Sequence, residues 1–88
     1  MSRFYLNMNR EKLTASIRNM ADERGTDKTF CPSEVARQEG GESWRDLMDD
    51  VREAAARMVS EGTLQVLQKG EVVDLATAKG PVRFRKAP

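Results

Sequence analysis

The segment between Ser43 and Gly62 does most to limit how this chain can fold. Trp44, Leu47, Met48, Val51, Ala54, Ala55, Met58 and Val59 recur at three- and four-residue intervals and fall on one stripe of a helical period. Asp46, Asp49, Asp50, Glu53 and Arg57 take the other side. Ser43 can cap the first turn, with Asp46 reaching back in a variant of the capping box, and Gly62 supplies a stop. The spacing predicts an amphipathic helix over 44–61, which needs a partner layer for its apolar stripe. After Gly62 the period changes. Thr63–Gln68 and Val82–Arg85 are rich in β-branched, aromatic and aliphatic residues, with a turn signal at Lys69-Gly70. In the second of these segments Val82 and Phe84 point one way, and Arg83 and Arg85 the other. Between them, Asp74–Gly80 can form one helical turn capped by Asp74 and left through Gly80, after which Pro81 starts an edge strand.

Upstream, Leu13, Ile17, Met20 and Ala21 make one face of a helix expected to begin near Asn9, a good N-cap, and to stop at Gly25 after Arg24. Phe4, Leu6 and Met8 alternate, so residues 1–8 are either a short flexible arm or an extension of that helix. Thr26–Phe30 reads as a loop into a very short strand. Cys31-Pro32-Ser33-Glu34 then opens a two-turn helix over 32–38, with Cys31 as N-cap, Pro32 in the first helical position and Glu34 facing the free amides. Gly40-Gly41 ends it.

Several function classes fall away on composition. A chain of 88 residues is one domain, here 1–88 with an ordered core over about 9–86. It has no histidine, which removes the commonest general base and most zinc ligand sets. Its single cysteine cannot form an internal disulfide or a Cys-x-x-Cys motif. A thiol at a helix N-terminus can be acidified, yet without a histidine or second cysteine Cys31 reads as a structural cap. The carboxylates of 46–53 read as a solvated helix face, neither an acid–base pair nor a magnesium site. No catalytic residue, metal or cofactor is expected. No apolar run suits a membrane span, and the start lacks the apolar stretch of a signal peptide. The expectation is a cytoplasmic protein that is not an enzyme, has no membrane partner and is a monomer or weak homodimer.

Helix, short strand, short helix, glycine turn, long helix and two-stranded basic ribbon is the winged helix-turn-helix order. The fold expected is mainly α with a small β-ribbon: three helices, a short strand and a two-stranded wing. Cys31-Pro32-Ser33-Glu34-Val35-Ala36-Arg37, Trp44-Arg45 with Leu47-Met48 and Val51-Arg52, then Gln68-Lys69-Gly70, Val73-Asp74 and Lys79-Gly80-Pro81-Val82-Arg83 together resemble the bacterial family known as domain of unknown function 3253. The resemblance covers about residues 10–86 and implies a small bacterial winged-helix domain with no established activity, so it carries over no site residues. One departure is Asp49, where many relatives are expected to have proline.

Charge is unevenly placed. Residues 1–19 carry +3, residues 20–61 carry −5 and residues 62–88 carry +3. On the predicted third helix Arg45 and Arg52, seven apart, form one ridge that could reach guanine edges or phosphates; the plainer reading pairs Arg45 with Glu42 and Asp49. With its acidic residues that helix is net −2. Lys69, Lys79, Arg83, Arg85 and Lys86 gather on the ribbon against only Glu71 and Asp74, where they suit a phosphate backbone or protect an edge strand from pairing. Trp44 and the methionines other than Met1 and Met8 read as core. The function expected is nucleic-acid binding, with DNA as partner and a small transcriptional regulator as the type, through Arg45, Arg52, Lys69, Lys79, Arg83, Arg85 and Lys86. The alternative is a protein-interaction module that uses the acidic third helix and binds no nucleic acid.

Overall fold

The computed structural model describes the backbone of residues 2–88 and the side chains of residues 10–88. The elements run α1 (Ser2–Arg24), β1 (Thr29–Phe30), α2 (Pro32–Gly40), a 3-10 segment (Gly41–Leu47), α3 (Met48–Ser60), β2 (Leu64–Gln68), β3 (Glu71–Val72) and β4 (Arg83–Lys86). The protein is mainly helical with a small antiparallel sheet, whose strand order is β1-β4-β2-β3.

A row of three side chains crosses the inner face of that sheet. Phe84 on β4 is opposite Phe30 on β1 and Val66 on β2. The two phenyl rings meet edge to face, centroids 5.7 Å apart at 81°, an arrangement that sets the positive ring edge of one against the negative face of the other. None of the three is more than 1% exposed. Leu13 and Ile17 of α1, Val35 of α2, and Val51, Ala55 and Met58 of α3 complete the same core. The apolar stripes expected on the helices are therefore the ones buried, though Trp44, Leu47, Met48 and Val59 are only partly covered.

Three local expectations are corrected. The first helix does not begin near Asn9, because its backbone is helical from Ser2; nothing in 2–8 is proline or glycine, so propensity carries the helix on. That backbone is the helical extension, not the extended arm; the side chains of Phe4, Leu6 and Met8 lie outside the described residues. The helix expected over 44–61 is split, with 3-10 turns over Gly41–Leu47 and α-helix only from Met48. Ser43 sits inside those turns at φ −93° and ψ 19° and caps nothing. The cause is close packing at the α2 terminus, where a Cβ on Gly40 would stand 2.7 Å from Leu47 Cδ1. With Leu47 seated there, the chain takes the narrower 3-10 path. Asp49 falls in the first turn of α3, a position that suits a carboxylate as well as proline.

The ribbon differs from a simple pair of strands. Lys69 (φ 53°) and Gly70 (φ 83°) both adopt the left-handed region, which makes a two-residue turn matched to strand twist. That turn joins β2 to β3, not to β4. The intervening segment 74–80 makes the single helical turn expected of it, capped by Asp74: Ala76 N–H donates to the Asp74 carboxylate at 3.0 Å and Ala78 N–H to the Asp74 carbonyl at 2.9 Å. The Gln68 side-chain amide donates to the carbonyls of Lys79 and Pro81 and so holds the returning chain. β4 then enters between β1 and β2, so the strand after Pro81 is central and the edges are β1 and β3. A two-residue β1 has no alternation to reveal its partner from sequence.

At the Cys31 cap, Glu34 accepts from Cys31 N–H at 2.7 Å and from Arg24 in bidentate fashion, Nη2 at 2.9 Å and Nη1 at 3.2 Å. This pair ties the last turn of α1 to the first turn of α2. The Arg24 hydrogen bonds, and then the Cys31 amide, hold the Glu34 carboxyl below the usual carboxylate range.

Two measurements check this account. Phe84→Ala is expected to lower stability by ~3–5 kcal/mol, whereas Trp44→Ala, half-buried, costs less than half as much in the same denaturant melts. Glu34→Gln keeps the cap acceptor but removes the charge. Because the folded carboxyl is depressed, its stabilisation is full above the unfolded value of about 4.3 and fades as pH falls through the folded value. Both side chains are about one-third exposed, so the effect is about 1 kcal/mol at most. The melting-temperature gap between wild type and Glu34→Gln should be constant above about pH 5 and close below about pH 4; a gap unchanged by acid would remove the charge from the explanation.

Candidate nucleic-acid interface

Period-two alternation on β4, with Phe84 in the core, sends Arg83 and Arg85 to the outer face of the sheet. Each is held there by a neighbouring strand. Arg83 Nε donates to Thr29 Oγ1 at 2.7 Å and its Nη2 to the Thr29 carbonyl at 3.4 Å. Arg85 Nε and Nη2 donate to Gln65 Oε1 at 3.2 and 2.7 Å. The Arg85–Gln65 contact lies directly across the register, whereas Arg83 reaches diagonally to Thr29, whose register partner is Arg85. Among the described residues, Nη1 of each guanidinium has no hydrogen-bond partner and neither arginine forms an ion pair.

The other expected site residues are dispersed. Lys69 is exposed at the β2–β3 turn, and Lys79 is exposed on the return toward β4. Lys86 points to the helical side and pairs with Asp22 of α1 at 3.0 Å. Arg52 lines a groove between α3 and the segment after β3, among Asp49, Glu53, Asp74 and an apolar floor of Ala56, Val59 and Leu75. Glu53 itself pairs with Arg10 of α1 at 3.2 Å. Arg45 lies over the Trp44 ring, 4.6 Å from its centroid, and pairs with neither Glu42 nor Asp49. The Arg45–Arg52 ridge expected from a continuous helix is lost, because the 3-10 turns interrupt the period between them.

Two arginines went unnoticed in the sequence. Arg37 of α2 also stacks on Trp44, at 4.6 Å, and Arg24 holds Glu34. A basic last turn on α1 and an acidic first turn on α2 are visible signals, yet their pairing depends on the turn at 25–28. Nothing periodic links Arg37 to Trp44. Cys31 is half-buried at the N-cap position of α2, where its side chain makes no cap hydrogen bond and its Sγ accepts from Ser33 Oγ at 3.2 Å. Among the described residues no three His, Cys, Asp or Glu side chains gather as a metal site, and no helix is long and apolar enough to cross a membrane.

No curated protein matches the chain. A family model described as "Protein of unknown function (DUF3253)" matches residues 10–87. That match takes in the Cys31 cap, the Trp44 segment, the β2–β3 turn and the arginines of β4, and the chain therefore belongs to the DUF3253 family.

Proposed function

We propose that the protein is a cytoplasmic winged-helix module that binds nucleic acid, DNA first, by its phosphate backbone. α2 and α3 stand as the helix-turn-helix pair, and the β2–β3–β4 ribbon stands as the wing. The observation that carries this reading is the side-by-side placement of Arg83 and Arg85 on the solvent face of the sheet, with Lys69 and Lys79 on the turns of the same ribbon. Among the described residues none of these four pairs with a carboxylate. Thr29 and Gln65 hold the two guanidiniums in place, so less side-chain freedom is lost when a phosphate arrives. Such contacts orient a strand without reading its bases. DNA as the specific partner, and a regulatory role, rest on how this architecture is commonly used.

Base reading by α3 is disfavoured by charge, since Arg52 shares its groove with Asp49, Glu53 and Asp74. That groove favours a second reading, in which its apolar floor and acidic rim receive another protein.

Anisotropy of a labelled mixed-sequence duplex tests the first reading. Four phosphate contacts predict log K falling with log salt at a slope near −3.6, a loss of ~150-fold between about 50 and 200 mM. Arg83→Glu with Arg85→Glu should weaken every sequence alike and flatten the slope, with the fold intact because both side chains face outward. Absence of duplex and single-strand binding at about 50 mM salt overturns the reading.

A further inference from the structure

The geometry points to Arg37 and Arg45, stacked on Trp44, as a second phosphate contact for the strand held by the sheet, so that its path follows α2 and not α3. This rests on the nucleic-acid reading above and adds a site to it. The two guanidiniums come from different elements, α2 and the 3-10 segment, and each lies 4.6 Å from the same ring centroid. Their charges are thus no more than about 9.2 Å apart. Neither has a carboxylate partner among the described residues, although Glu42, Asp46 and Asp49 are close in sequence. Two like charges kept together by an indole, with no carboxylate bonded to either among the described residues, form a ready site for an anion. Both guanidiniums lie over the ring and are exposed, and neither donates a hydrogen bond among the described residues, so their N–H groups are open to a phosphate.

The position is connected to the arginines of the sheet through β1 and α2. Arg85 and Arg83 lie on its outer face, and Arg83 is bonded to Thr29 of β1. β1 leads through the Cys31 cap into α2, where Glu34 holds Arg24. Arg37 is three residues beyond Glu34, on the same side of that helix, and leads to Trp44 and Arg45. The single carboxylate bonded along this connection, Glu34, is already neutralised by Arg24.

Trp44 is the chain's only tryptophan, so its fluorescence reports on this site alone. A mixed-sequence oligonucleotide is titrated at low salt, with anisotropy and tryptophan emission read on the same samples. The expected result is an emission change with the anisotropy midpoint. With these two contacts added to the four on the ribbon the wild-type slope becomes about −5.4, and Arg37→Gln with Arg45→Gln should weaken binding by roughly tenfold and return the slope to about −3.6. Arg18→Gln with Arg57→Gln, which removes the same charge from the α1–α3 side, should do neither. Circular dichroism melts confirm that each variant is folded. Binding with unchanged tryptophan emission, or equal loss in both double variants, overturns the inference while leaving the nucleic-acid reading in place. No binding by anisotropy overturns both.

Discussion

Phe84, held between Phe30 and Val66, is the contact on which the rest of the architecture depends. It joins three strands in one row, presents them to α1, α2 and α3, and leaves Arg83 and Arg85 no direction but outward. A one-residue slip of β4 would bury two guanidiniums and expose a phenyl ring, so the core fixes the polarity of the surface. Thr29 and Gln65 hold the arginines only because β1 and β2 flank β4 in this register. The candidate interface is in this sense the reverse side of the hydrophobic core.

How much could be read in advance follows from how local each signal is. Helical stripes, the Cys31 cap, the Lys69-Gly70 turn and the alternation of β4 are encoded within a few residues and are present as expected. The miss at 41–47 has a tertiary cause, the seat that Gly40 makes for Leu47, and no propensity records it. Strand order was equally hidden, since β1 is two residues long and finds its partner more than fifty residues later. Site residues divided along the same line. Arg83 and Arg85 were placed by periodicity, whereas Lys86 was grouped with them by proximity in sequence although it points toward Asp22. Arg37 and Arg45 meet over Trp44 through a turn whose geometry the residue pattern does not announce.

Charge is sorted onto separate surfaces. Arg83 and Arg85 of the sheet form no ion pair among the described residues, while Asp49, Glu53 and Asp74 collect around the groove beside α3. A net charge of +1 conceals that uneven placement. The two functional readings therefore do not compete for a single surface.

The central position of β4 also bears on how the molecule comes into being. The strand that completes the inner row is the last of the fold's elements to be synthesised, after the helices and both of its neighbours. Until residue 84 has left the ribosome, Phe30 and Val66 have no partner between them, and β1 and β2 cannot be joined. The helices and the β2–β3 hairpin can form early from local contacts, but β4 joins β1 and β2 through pairings more distant in sequence, which are slower to find. A nascent chain of this kind passes through an interval with its helical layer formed and one apolar face uncovered, and its exposure to misassociation is concentrated in that interval.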